Sequence, residues 1–170
     1  VPIVYPYLVD SKFVGIYNLV TKCRHIDKGQ GVDEFVHYDN LSQQEKELID
    51  KNRQTLIEHV CEHDDMIMDM FLEGKDIPAS TLTESIRVLT GKRKIFPVLC
   101  GSAFKDKFVR LVLDSITTYL PDPSNSDKIV TNMKTGEKYK VNIDDKNLIA
   151  FVFKYVKDEY VGALCYTRIY

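Results

Sequence analysis

Short apolar runs and alternating positions dominate the first part of the chain, which is typical of β-strands. Residues 1–9 and 13–20 predict two strands, and residues 35–38 predict a third, shorter one. The polar stretch between the second and third strands is expected to turn at Gly29-Gln30-Gly31.

From Ser42 onward the apolar spacing becomes helical. Ser42 and Glu45 form a capping-box pattern, which predicts a helix N-terminus at this point. The apolar positions up to Leu72 predict a long amphipathic helix, either continuous or broken near His63-Asp64. Gly74 is a suitable residue to end it.

Three further elements are predicted up to Pro121. A second helix should cover residues 80–90, with Gly91 as its C-terminal stop. An apolar strand over residues 94–100 then leads through a loop to a helix over residues 107–120. Pro121 cannot continue that helix.

The remaining residues read as a polar connector followed by strands. A small hairpin is expected over residues 133–141, with its turn at Thr135-Gly136. Residues 148–155 and 161–170 predict two strands, and a domain boundary is expected near Asn147. Two strands with open edges are not stable alone, so this second domain is expected to be incomplete.

Composition narrows the function classes without identifying one. The chain is 44% hydrophobic and 28% charged, as in ordinary globular proteins. A net charge of −2 argues against direct DNA or RNA binding, although contact with a ribonucleoprotein through protein stays open. The four cysteines form no C-x-x-C pair, which favours reduced thiols over a disulfide framework or a zinc site. No apolar run approaches membrane-spanning length, and no targeting peptide is recognisable in these residues.

The loop Gly101-Ser102-Ala103 could carry chemistry. A pocket that reads guanine needs a backbone N–H close to the O6 atom of the base, and a residue as small as Ala103 permits that approach. The Ser102 hydroxyl could hold the loop in shape. The tripeptide alone is common, so an ordinary strand-to-helix loop is the simpler interpretation of these residues by themselves.

Sequence blocks along the whole chain occur in the order and at the spacings of one protein family. In these blocks the chain resembles elongation factor G, the ribosomal translocation GTPase family. The main blocks are Val1-Pro2-Ile3-Val4-Tyr5-Pro6, Phe13-Val14-Gly15, Leu56-Ile57-Glu58, Phe71-Leu72-Glu73-Gly74, Ile86-Arg87, Pro97-Val98-Leu99-Cys100-Gly101-Ser102-Ala103-Phe104-Lys105, Tyr119-Leu120-Pro121-Asp122-Pro123, Phe153-Lys154 and Arg168-Ile169-Tyr170.

The resemblance implies an α/β fold of defined parts. The chain would be an internal fragment: the C-terminal part of a P-loop GTPase G domain with a helical and β G′ insertion, plus the first strands of a β-barrel domain II. Residues 1–93 would hold the end of a G-domain strand region and the insertion. Residues 94–121 would hold the last strand, the guanine loop and the closing helix. Residues 122–147 would be a linker, and residues 148–170 the start of domain II.

The resemblance also implies roles for particular residues. Ser102, Ala103 and Phe104 would lie against the guanine base. The insertion would face the ribosomal stalk protein, and its helical stretch is acidic, with ten Asp and Glu against four Lys and Arg between positions 42 and 76. Glu58, Glu62 and Asp65 would share one helix face at spacings of four and three. A solvated acidic face is the alternative without the resemblance.

The intact parent is expected to be a GTPase that binds GTP or GDP with Mg²⁺. The P-loop, the Asp-x-x-Gly switch and the Asn-Lys-x-Asp motif are not in these residues, and in the family they precede this region. The fragment alone is therefore expected to be inactive and to hold no nucleotide tightly. No metal site is predicted, since His59 and His63 read as exposed polar helix residues without a third ligand.

Two departures from the family pattern favour a divergent member. Asp106 and Phe108 stand in a turn where the family has Asn and Gly. Divergence favours a mitochondrial or plastid-type protein, with the cytoplasm as the alternative location. The alternative functions are a release-factor-3-like or ribosome-protection GTPase, or a non-enzymatic ribosome-interaction module that has lost nucleotide binding. The ribosome is the expected partner; membrane contact, direct DNA binding and homo-oligomers are not expected.

Overall fold

The computed structural model describes residues 1–28, 33–122, 128–141 and 148–170. The chain divides into two compact units, Val1–Leu120 and Pro121–Tyr170. The described ranges form a mixed α/β fold with antiparallel sheets and four α-helices. The elements in chain order are β1 (Val4–Val9), β2 (Lys12–Asn18), β3 (Cys23–Asp27), β4 (Asp33–His37), a 3-10 turn (Tyr38–Asn40), α1 (Gln43–Cys61), α2 (Asp65–Leu72), α3 (Ala79–Gly91), α4 (Val109–Tyr119), β5 (Lys128–Thr131), β6 (Lys138–Val141), β7 (Ala150–Asp158) and β8 (Gly162–Ile169).

Strands β1 to β4 form one antiparallel sheet in which each strand pairs with the next. Strands β1, β2 and β4 confirm the three predicted strands with adjusted ends. Strand β3 was missed, because Arg24 and His25 made its sequence read as a polar connection. Both side chains are half-buried, so β3 lacks a clear alternation signal. The turn predicted at Gly29-Gln30-Gly31 lies outside the described residues.

Gly15 allows β2 and β3 to approach closely. A Cβ atom at this position would lie 2.3 Å from the carbonyl oxygen of His25, which is far inside van der Waals contact. Any side chain at position 15 would therefore force the two strands apart.

Helices α1 and α2 follow the predicted break. The Ser42 side chain accepts the Glu45 backbone N–H, and the Glu45 carboxylate accepts the Ser42 N–H, so the capping box is confirmed. Asp64 adopts an extended conformation and caps α2 by accepting from the N–H groups of Met66 and Ile67 at 3.1 and 3.2 Å. A helix N-terminus needs acceptors for its unpaired N–H groups, which is why the break falls at an Asp.

The apolar core lies between the sheet and helices α1 to α3. Seven of its side chains are at most 1% exposed, which places them fully out of water: Ile16, Leu19, Leu56, Val60, Ile67, Leu82 and Ile86. Helix α3 confirms the second predicted helix, and its buried residues recur at helical spacing.

Arg53 of α1 is buried at the edge of this core, with 5% of its surface exposed. Its guanidinium donates to the carbonyl oxygens of Leu19, Val20 and Ile77 at 2.7, 2.6 and 2.6 Å. A buried cation is costly unless its donors are used. Arg53 therefore joins α1 to the end of β2 and to the chain before α3.

The prediction of a β-strand over residues 94–100 is wrong, because these residues do not form a continuous strand. Only Val98 pairs, in an isolated parallel bridge with Pro2. The Ile3 N–H donates to the Val98 carbonyl at 3.1 Å, and the Val98 N–H donates to the Val1 carbonyl at 2.8 Å. Pro97 has no N–H to donate, and no described strand pairs with the opposite edge, so the ladder does not extend.

Helix α4 begins at Val109, two residues later than predicted, and presents an uncovered apolar face. Val112, Leu113 and Ile116 are 43%, 59% and 47% exposed. A groove of about 150 Å³ runs between this helix and the segment containing Pro97 and Leu99.

The second unit contains two separate antiparallel hairpins among its described residues, β5 with β6 and β7 with β8. The first hairpin turns between Asn132 and Glu137, around the predicted Thr135-Gly136, and its first strand lies before Met133. The second confirms the two predicted C-terminal strands. Its aromatic residues Phe151, Phe153 and Tyr155 are each more than half exposed.

Candidate functional site

The loop singled out in the sequence is closed by a pair of backbone hydrogen bonds. The Ser102 N–H donates to the Lys107 carbonyl at 3.0 Å, and the Lys107 N–H donates to the Ser102 carbonyl at 2.9 Å. The Asp106 N–H closes a tighter turn by donating to the Ala103 carbonyl at 3.1 Å. Ala103 and Phe104 therefore stand at the tip of a small hairpin-like turn.

Gly101 makes this stem possible. A Cβ atom at Gly101 would lie 2.9 Å from the carbonyl oxygen of Lys107, so a side chain there would press against the returning strand of the loop. The glycine is required by close approach of two backbones, rather than by a left-handed conformation.

The tip of the turn offers two groups to a ligand. The Phe104 side chain is 100% exposed, so its ring has both faces in solvent. The backbone N–H groups of Ala103 and Phe104 donate no hydrogen bond within the described residues. A planar ligand with an acceptor on its edge could use both, by stacking on the ring and accepting from the backbone.

Phe108 holds the other end of the turn. It precedes α4 in a left-handed conformation, with φ of 59°, and supplies no side-chain cap to the helix. Its ring is 7% exposed and meets the Phe13 ring edge-on, with centroids 5.7 Å apart. Its N–H donates to the Asp27 carboxylate at 3.2 Å. This left-handed residue is why α4 begins later than its apolar spacing predicted.

The three acidic residues predicted for stalk contact are all exposed, but they do not lie on one continuous helix. Helix α1 ends at Cys61, so Glu58 lies in its last turn and Glu62 is its C-cap, while Asp65 begins α2. The prediction that Asp65 shares one helix face with Glu58 and Glu62 is therefore wrong. The cause is Asp64, whose extended backbone interrupts the helix in order to cap the next one.

A cluster around Glu45 was not predicted from the sequence. Its carboxylate accepts from Arg24 at 2.5 Å and from the Tyr17 hydroxyl at 3.1 Å, in addition to Ser42. Partial burial alone would raise the pKa of Glu45, but the hydrogen bonds from Ser42, Arg24 and Tyr17 outweigh it and lower the pKa. Burial is the larger cause of a raised pKa at Tyr17, and the hydrogen bond to Glu45 is the second cause. The cluster ties the sheet to α1, and long-range contacts of this kind leave no local sequence signal.

Metal ligands are not assembled in the described part of the chain. No group of three His, Cys, Asp or Glu side chains there could hold an ion. The His59 ring lies 3.7 Å from the Glu62 carboxylate, a neighbour within the same helix end. No helix in the described ranges is both long enough and apolar enough to span a bilayer.

No protein-family model matches the chain. Its fold is similar to the crystal structure of a protein from Thermus thermophilus, with a TM-score of 0.71 and 22% sequence identity. The match covers 99% of this chain but 22% of the Thermus protein. This similarity shows that the two proteins share a mixed α/β fold. The chain spans less than a quarter of the solved protein that it resembles.

Proposed function

We propose that this chain is part of a translational GTPase of the elongation factor G type. In the intact protein, GTP hydrolysis with Mg²⁺ would drive the movement of tRNA and mRNA through the ribosome. This segment would contribute guanine-base recognition through Ser102, Ala103 and Phe104, and contact with the ribosomal stalk through the acidic end of α1. Its fold would be the C-terminal part of a G domain with its insertion, followed by the opening of a β-barrel domain.

The observation that carries the proposal is the geometry of the turn between Ser102 and Lys107. The backbone N–H groups at Ala103 and Phe104 are unbonded within the described residues, and Ala103 has only a methyl group to restrict access. Fixed backbone donors recognise an acceptor with little reorganisation, and guanine has such an acceptor at O6. The exposed Phe104 ring supplies a stacking surface beside them.

Exposed acidic side chains support the proposed stalk contact. Glu58, Glu62 and Asp65 flank the junction of α1 and α2 and are all exposed. A basic partner domain would be attracted by this charge, which accelerates encounter more than it tightens the final complex.

Base recognition is tested in a polypeptide extended N-terminally to include a phosphate-binding loop. The variant Ala103→Val adds two carbons next to the proposed donor and should weaken GDP binding by about 10-fold or more, since a misplaced donor costs about 1–3 kcal/mol. Phe96→Ala is the matched control, because Phe96 is 66% exposed and lies outside the turn. Equal GDP affinity in wild type and Ala103→Val would contradict the base-reading role.

The chain by itself supplies a second test of the nucleotide part. Calorimetric titration of the 170-residue chain with GTP or GDP should give no saturable heat, because phosphate contacts dominate such binding and no phosphate loop is present in this sequence. Micromolar binding would mean that the nucleotide is held in a different way from the one proposed.

Stalk contact is tested by charge reversal. The triple variant Glu58→Lys, Glu62→Lys, Asp65→Lys should slow association with a basic stalk-protein domain by about 10-fold or more at low salt, and the difference should shrink as salt is raised. Glu159→Lys, an exposed acidic residue of the second unit, is the control. Association that is unchanged by the triple reversal would remove this surface from the proposal.

One observation favours a second function, a non-enzymatic ribosome-interaction module. Asp106 and Phe108 both have positive φ, 51° and 59°, at non-glycine residues within the turn. A turn strained in this way is compatible with loss of selection for nucleotide binding. A release-factor-3-like or ribosome-protection GTPase is the alternative within the same class, and an organellar location is proposed over the cytoplasm because of these departures.

A further inference from the structure

We propose that Phe13 and Asp27 are positioning residues for the turn between Ser102 and Lys107, acting through Phe108. They would link the four-stranded sheet to the proposed base-reading loop. The inference deepens the proposed function, because it concerns how the same loop is held, but its test does not depend on any nucleotide.

Phe108 needs external support to keep its backbone conformation. A bulky side chain is disfavoured in the left-handed region, where its Cβ crowds the backbone. Asp106, two residues earlier, also has a positive φ. Lys107 thus stands between two strained residues, and its N–H and carbonyl are the groups that close the stem on Ser102.

The support comes from two strands far away in sequence. The Phe13 ring on β2 packs edge-on against the Phe108 ring, and the Asp27 carboxylate at the end of β3 accepts the Phe108 N–H. Burial of the ring and use of the N–H both favour the one backbone conformation in which they occur together. Because Phe108 adjoins Lys107, whatever fixes Phe108 also fixes the stem of the turn.

The alternative is that Phe108 is merely a core residue whose loss lowers overall stability. The two roles make different demands on the turn. A positioning role requires the bonds between Ser102 and Lys107 to open more often when Phe13 or Asp27 is removed, relative to bonds elsewhere. A purely structural role changes all protected amides together.

Amide hydrogen exchange on the 170-residue chain without ligand separates these roles. In Phe13→Ala and in Asp27→Ala, exchange at the Ser102 and Lys107 amides should rise by about 2- to 10-fold relative to exchange at the Ile57 and Ile86 amides. This range follows from the stabilisation that one aromatic pair or one hydrogen bond typically contributes. The Phe108 amide is left out, because Asp27→Ala removes its acceptor directly.

A matched control and two further variants sharpen the test. Phe35→Ala removes a ring from the same sheet that contacts His25 instead of Phe108, and should leave the ratio unchanged. Phe13→Tyr keeps the ring and should restore the wild-type ratio. In a Phe108→Gly background, Phe13→Ala should have no further effect on the turn, because the residue through which it acts is gone.

The outcomes are decisive for the positioning role. A selective rise in exchange at the turn, absent in Phe35→Ala, supports it. An equal rise at Ile57 and Ile86, or no rise at the turn, overturns it. Exchange at the turn could rise as expected while Ala103→Val leaves the GDP affinity of the extended polypeptide unchanged. In that case the positioning role stands and the base-reading role fails.

Discussion

Helices α3 and α4 are both amphipathic by their apolar spacing, yet their apolar side chains are covered to very different degrees. Ile86 of α3 is 0% exposed within the core, whereas Ile116 of α4 is 47% exposed beside an open groove. The difference lies in the neighbours, since α3 packs in the shared core against both α1 and α4, while the outer face of α4 borders only a segment with a single bridge. An apolar stripe therefore predicts a helix, but not what covers it.

The largest loss of stability is expected in the buried core, at Arg53. Arg53→Ala would leave the carbonyl oxygens of Leu19, Val20 and Ile77 without their donor, which should lower the free energy of unfolding by about 3–5 kcal/mol. Urea denaturation followed by circular dichroism measures this change. Lys51→Ala, an exposed cation on the same helix, is the control and should cost less than about 0.5 kcal/mol. A loss below about 1 kcal/mol for Arg53→Ala would mean that these bonds contribute little.

Two identical substitutions test the comparison most directly. Ile86→Ala should lower the free energy of unfolding by about 2–5 kcal/mol, because it leaves a cavity in a closed core. Ile116→Ala should cost less than about 1 kcal/mol, because half of that side chain already contacts water. Urea denaturation of both variants gives the two values. Equal losses would show that α4 is covered in solution.

Helix starts provide a smaller contrast. Ser42→Ala removes the capping box of α1 and should cost about 1 kcal/mol, as other N-cap losses do. Helix α4 has no side-chain cap to lose. Thermal unfolding of Ser42→Ala should therefore show a lower midpoint than Ser80→Ala, a serine inside α3. Midpoints that do not differ would indicate that the Ser42 cap is replaced by water at no cost.

The smallest effect expected is the pH dependence contributed by Glu45. Its pKa in the folded chain lies below the ordinary value of 4.5, so folding favours its ionised form. This contribution is complete above the unfolded pKa and is lost as the pH falls through the folded pKa. The difference in the free energy of unfolding between wild type and Glu45→Gln should therefore shrink as the pH is lowered from neutral through these two pKa values. Chemical denaturation of both proteins over this pH range measures the difference. A difference that grows on acidification would reverse the assigned direction.

Local patterns predicted the helices well because their signals lie within a few residues. The capping box at Ser42 and the alternative of a break near Asp64 were both readable from the sequence. Strand β3 was not, since its half-buried polar side chains hide the alternation. The strand over residues 94–100 failed for the opposite reason: its apolar run was clear, but an extended ladder also needs neighbouring strands.

In the candidate site, too, some features were predictable from local sequence patterns and others were not. Gly101, Ser102 and Ala103 were recognisable because small residues after an apolar run mark a close turn. The contacts of Phe108 with Phe13 and Asp27 join positions far apart in the chain, so no local pattern could predict them. The same limit explains the error at Asp65, where spacing alone could not show that Asp64 would leave the helix to cap α2.

The pairing of the N-terminal residues with Val98 has a consequence for the order of folding. The Ile3 N–H and the Val98 carbonyl that accepts from it are 95 positions apart. Closing so long a loop costs entropy that each neighbouring hairpin of β1 to β4 avoids, since that cost grows with loop length. During vectorial synthesis, residues 1–3 emerge long before their partner exists. The sheet and helices α1 to α3 can therefore assemble before the single parallel bridge closes.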